Sequence, residues 1–107
     1  MLSYDAFHDT NLCELLSCAG VSTVLIGGVL TNLCCETTAR SAFVRDFNVL
    51  FLTDGTAARH SYMHDATLIN IVSAALRDTR WSYPHRLLCA SPRTALTYLS
   101  VRSCLLL

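Results

Sequence analysis

Residues 21–43 confine this chain to a small set of folds. An apolar, β-branched run, Val21 to Ile26, lies between Gly20 and Gly27 and leads through a short segment into Thr37 to Phe43, which has helix-compatible spacing and no Gly or Pro. The unit recurs: Asn48 to Thr53 reads as a second strand and Tyr62 to about Leu76 as a second helix. Strands that alternate with helices imply right-handed crossovers and an α/β fold with a parallel sheet flanked by helices. Cys34 falls where the first strand becomes a helix, at or near the helix N-terminus. Unsatisfied N–H groups and the positive end of the helix dipole there favour a thiolate, drawing the pKa below the free value of about 8.5. The same N–H groups can hold an oxyanion.

The flanking residues fit this plan. Asp9, Thr10 or Asn11 can cap a helix from about Leu12 to Ala19, with Asn11 and Glu14 spaced as a capping box and Gly20 as its C′ residue. The helix from Leu33 to Arg45 has Leu33, Ala39, Ala42 and Phe43 for a buried face. In the next helix Ala66, Leu68, Ile69, Val72 and Leu76 are available to cover the sheet.

The chain has 107 residues, 52% of them hydrophobic and 15% charged, which is apolar for so small a domain. Strands buried on both faces of a parallel sheet read this way, so the composition suits a piece of a larger sheet with an exposed strand edge. Association is the expected result, as a homo-oligomer or with a full-length relative. A formal net charge of zero with scattered charges points to neither nucleic acid nor an anionic membrane. The longest apolar stretch, near Val24 to Leu30, is too short for a membrane span, and Met1 to Asp9 lacks the pattern of a secretory signal. Six cysteines without a recognisable spacing suit a reducing, cytoplasmic setting.

The run Gly28-Val29-Leu30-Thr31-Asn32-Leu33-Cys34-Cys35-Glu36-Thr37-Thr38-Ala39 resembles the signature of the isochorismatase-like cysteine hydrolases. Tyr4-Asp5-Ala6-Phe7 with Thr10 and Leu12, the strand from Asn48 to Asp54, and His64-Asp65-Ala66-Thr67-Leu68 extend the resemblance from about Tyr4 to about Ile71. It implies a Rossmann-like three-layer fold, represented by its C-terminal half. It also implies hydrolysis of an amide, ureido or related bond of a small molecule through a thioester on Cys34. The oxyanion would be held by the backbone N–H groups of Leu30 and Cys34, with a cis peptide between Val29 and Leu30. Phe7, Thr31 and Asn32 are the implied pocket residues. The presence of the Cys favours an amidase-like relative.

The family's Asp and Lys have no counterpart here. All eight basic residues are Arg, and the resemblance places the Lys about where Met1 stands. The family's metal site also lies in the half not represented, so neither metal nor cofactor is expected. These departures predict impaired catalysis, or a non-enzymatic fragment that binds a full-length relative. The resemblance divides the chain into a partial hydrolase domain, residues 1–76, and a divergent tail, 77–107.

Each site residue also has a plainer reading. Cys34 can be a small buried hydrophobe, and Cys35, its neighbour on a helix, points elsewhere and reads as core. Asp54 stands either at the functional edge of the sheet or in a turn. His60 and His64 have helical metal-ligand spacing but no third ligand spaced to join them. Phe7 can pack under the first helix, and Thr31 and Asn32 can brace the turn. Cys104-Leu105-Leu106-Leu107 formally fits a prenylation box without the usual polybasic stretch.

Overall fold

A computed structural model describes residues 3–73, 77–79 and 97–101. Helix α1 (Leu12–Cys18) precedes strand β1 (Thr23–Val29), a π-helical turn (Thr31–Cys35) and helix α2 (Glu36–Val44). Strand β2 (Asn48–Ala57), helix α3 (Ser61–Ser73) and strands β3 (Arg77–Thr79) and β4 (Thr97–Val101) follow. The four strands form one parallel sheet in the order β3-β2-β1-β4.

Strand β1 is therefore paired on both sides, and on the side away from β2 Val24 lies opposite Thr97 and Gly28 opposite Val101. The β-prone series Thr97-Tyr98-Leu99-Ser100-Val101 supplies this strand from within residues 77–107. The prenylation box and most of the rest of the tail lie outside the described residues.

Strands β1 and β2 bury both faces, as central parallel strands do. Val24, Ile26, Val49 and Phe51 enter a core with Leu16 of α1, Ala39 and Ala42 of α2 and Ile71 of α3. Leu25 and Leu52, on the alternate positions, are buried as well. In α2, Phe43 is not part of the buried face, being 47% exposed. The face of α3 also differs from the expected one. Thr67 and Ile71 are buried, whereas Ile69 and Val72 are exposed. Apolar residues surround this helix, so hydrophobic spacing alone does not select its inner side.

Two helices end in the same way. Gly20, at φ 72°, donates its N–H to Ser17 O while Val21 donates to Leu16 O, closing α1 with a Schellman motif. Asp46, at φ 66°, repeats the pattern after α2, donating to Phe43 O while Phe47 donates to Ala42 O. At the start of α1 the expected capping box is absent, since Asn11 makes no side-chain cap bond. Thr10 Oγ1 accepts from the Leu12 N–H instead, at 3.4 Å, and donates to Ala6 O at 2.7 Å.

Strand β2 continues beyond Thr53 through a bulge. Between the pairs Ile26–Phe51 and Gly28–Thr56, β1 advances two residues and β2 five. Thr56 Oγ1 donates to Leu52 O at 2.8 Å across this bulge. A Cβ on Gly55 would meet Leu52 Cβ at 2.8 Å, which explains the glycine there.

Candidate functional site

The C-terminal end of β1 delivers the chain into the turn that carries Cys34. The peptide between Val29 and Leu30 is cis, and the chain then winds as a π-helix over Thr31–Cys35 before α2 begins. Leu30 O accepts from the Cys35 N–H at 3.1 Å, an i to i+5 bond, and from Leu33 N–H at 3.2 Å. Cys34 thus lies immediately before α2 at the carboxyl edge of the strands, where ligands of open α/β sheets bind.

Two side chains of α3 hold this turn at its ends. Thr31, fully buried at its first residue, is hydrogen-bonded through Oγ1 to His64 Nδ1 at 2.9 Å. Thr67 Oγ1 donates to Oε2 of Glu36, the residue after the turn, at 2.8 Å. Glu36 also pairs with Arg40 one helical turn later, at 3.1 Å. Between them, Asn32 Nδ2 lies 3.8 Å from Met63 Sδ. Asn32 Oδ1 is buried and finds no partner among the described residues.

The adjacent cysteines differ. Both side chains are buried, and burial pushes the Cys35 thiol up to about 12, leaving it protonated at neutral pH. Cys34 is disulfide-bonded in this structure, and Cys13, Cys18 and Cys35 are free. A nucleophilic Cys34 is therefore the reduced form of this residue.

Of the implied pocket residues, Thr31 and Asn32 belong to the Cys34 turn and Phe7 does not. Phe7 is 4% exposed and stacks on Phe47, with centroids 5.9 Å apart, while the Arg45 guanidinium lies 5.1 Å above its ring. Arg45 and Phe47 mark the C-terminal end of α2, and Cys34 precedes its N-terminal end. About 1.5 Å of rise per residue separates the two ends by well over 10 Å. The segment of Phe7 lies along α2: the Phe7 N–H donates to Asp5 Oδ1 at 2.8 Å, Ser41 Oγ donates to Asp5 Oδ2 at 2.7 Å, and the Ala6 N–H donates to Thr38 Oγ1 at 3.1 Å.

Asp54 lies in the β2 bulge with an exposed side chain. His60 stacks on Tyr62 with ring centroids 5.4 Å apart, so the two histidines with ligand spacing engage different partners. Among the described residues no three His, Cys, Asp or Glu side chains gather as metal ligands. No described helix is long and apolar enough to cross a membrane. The grip of α3 on the turn is the part of the site that sequence reasoning missed. Its signal was His64 and Thr67, two polar residues three apart and so on one face of the helix.

Comparison with known proteins bears on this geometry. The Isochorismatase domain family profile matches residues 2–80. Nicotinamidase 3 of Arabidopsis thaliana is 52% identical over 69 residues, 64% of this chain and 35% of that protein. The ureidoacrylate amidohydrolase RutB of Methylobacterium radiotolerans is 38% identical over 69 residues, 64% of this chain and 27% of its own length. An isochorismatase-like hydrolase from Alkaliphilus metalliredigens superimposes with a TM-score of 0.76 at 29% identity, over 80% of this chain and 47% of that one. The chain thus spans about a third of the length of these curated relatives and about half of the solved one.

Proposed function

The chain belongs to the Isochorismatase domain family, and from that premise we propose that it carries the thiol-bearing half of a hydrolase for C–N bonds of small amides or ureido compounds. The observation that supports this most is the π-helical turn, which sets Cys34 between the end of β1 and the start of α2. The relatives named for nicotinamide and ureidoacrylate suggest a compact carboxamide or ureido substrate.

In this reading the Cys34 thiolate attacks the substrate carbonyl carbon, and the N–H groups of Leu30 and Cys34 receive the oxyanion. Collapse of the tetrahedral species expels the amine, which must gain a proton, and leaves a thioester that water then cleaves. This chain supplies the thiol and the N–H pair. It contains no lysine, and no carboxylate is assigned the role of returning the proton. Acylation by an activated ester, whose leaving group needs no proton, is therefore retained, and turnover of unactivated amides is slower by several orders of magnitude.

Reaction of the reduced chain with 4-nitrophenyl nicotinate tests this reading. One equivalent of nitrophenolate released in a burst, and lost in Cys34→Ala, is the expected result. A wild-type chain without a Cys34-dependent burst overturns it.

A second reading, association with a longer relative without chemistry, is favoured by the exposed Tyr62, Ile69 and Val72 on α3. Co-elution with such a relative, undiminished in Cys34→Ala and lost in Ile69→Glu, would support it; a monomer in every mixture would exclude it.

A further inference from the structure

The turn that carries Cys34 is bracketed from outside. Thr31 opens it and Glu36 follows it, and each is hydrogen-bonded to α3, through His64 at 2.9 Å and Thr67 at 2.8 Å. His64 and Thr67 are three residues apart and so share one face of that helix. Ile71, one turn further along, is fully buried and anchors the same face in the core. We propose that His64 is a positioning residue for Cys34, acting through the Thr31 hydroxyl to fix the turn in which the thiol and the oxyanion N–H groups are set.

The chemistry of the pair supports this role. The Thr31 hydroxyl is fully buried, and water cannot readily replace its partner. An imidazole Nδ1 reaches it from the first turns of α3, where the main chain is already fixed by N–H bonds from Met63 and His64 to His60 O. An asparagine can offer a polar atom close to the position of Nδ1, whereas a leucine offers none. Losing the bond frees the turn to shift, and a displacement near 1 Å at a reacting group can cost roughly a hundredfold in rate. The Thr67 bond to Glu36 still ties the helix to α2 in such a variant, and Met63 still meets Asn32, so the fold persists while the first residue of the turn loosens.

This inference rests on Cys34 being the acyl acceptor, and the test separates the two ideas. The acylation rate constant and half-saturation concentration of the reduced chain with 4-nitrophenyl nicotinate are measured for wild type, His64→Leu, His64→Asn, Thr31→Val and the His64→Leu/Thr31→Val double variant. His64→Leu is expected to lower the rate constant about tenfold to a hundredfold with little change in half-saturation. His64→Asn should recover most of the loss, and the double variant should be no slower than the slower single one. The His64 Nδ1 resonance should move in Thr31→Val, reporting the bond directly. A wild type not acylated at Cys34 overturns the hydrolase reading and this inference with it. Wild-type acylation matched by His64→Leu, or additive losses in the double variant, overturns the inference alone.

Discussion

The two ends of α2 are built from different materials. Its N-terminal end meets a cis peptide, a π-helical turn and a set of polar side chains, Thr31, Asn32 and Glu36, engaged by α3. Its C-terminal end closes on a Schellman motif and an aromatic plug of Phe7 and Phe47 beneath Arg45. Regular backbone and apolar packing stabilise the second end at little chemical risk. The first end gives up regularity, and in the function proposed above that irregular turn is what sets the Cys34 sulfur beside backbone donors. A residue near α2 thus acquires its role from the end it approaches.

The largest expected effect is at the polar end. Cys34→Ala should lower the burst rate constant with an activated ester by roughly a thousandfold or more, without comparable loss of thermal stability. A stability loss as large as the activity loss would break the comparison by making Cys34 a core residue.

Phe7→Ala should show the reverse. Removing a buried aromatic ring costs about 3–5 kcal/mol, seen as a lower denaturation midpoint. The folded fraction should still acylate within about twofold of wild type. A selective change in half-saturation concentration would instead assign Phe7 to the pocket.

Cys35 provides a titration. The folded chain keeps that proton up to about pH 12, whereas the unfolded chain releases it near the ordinary cysteine value. Unfolding between those values sheds a proton. The stability contribution is therefore complete below the unfolded pKa and falls as pH rises towards 12. Replacing Cys35 with Ala should flatten this part of the stability profile measured by denaturant unfolding under reducing conditions.

The smallest effect is at the other helix end. Asp46 occupies a left-handed position where Gly carries less strain, and Asp46→Gly should stabilise the chain by about 0.5 kcal/mol. No change in acylation should accompany it.

Much of this architecture was legible. The β-branched runs beginning near Val21 and Asn48 and the glycine after α1 placed two strands and a helix end, because each signal is local. The cysteine turn was legible through its motif. The face of α3 was not, because Ile69 and Val72 are as apolar as Ile71, and two hydrogen bonds to distant residues select which is buried. Asp54-Gly55 reads as a strand end, yet β2 resumes after the bulge through its pairing with Gly28 and Val29. Phe7 follows its motif neighbours in sequence, and bonds of Tyr4 and Ala6 to Thr38 and of Asp5 to Ser41 lay its segment along α2 while its ring stacks on Phe47, contacts that no local signal announces. Strand β4 was missed because its pairing with β1 is non-local.

The central claim is that the polar end of α2 holds the one acyl acceptor of this chain. Mapping the acyl adducts of all six cysteines by peptide mass spectrometry, after reduction and brief exposure of the folded chain to 4-nitrophenyl nicotinate, tests it most directly. An adduct on Cys34 well ahead of any other cysteine is expected, with Cys35 unmodified at neutral pH. Modification of Cys35 or of the exposed Cys18 ahead of Cys34 would contradict it.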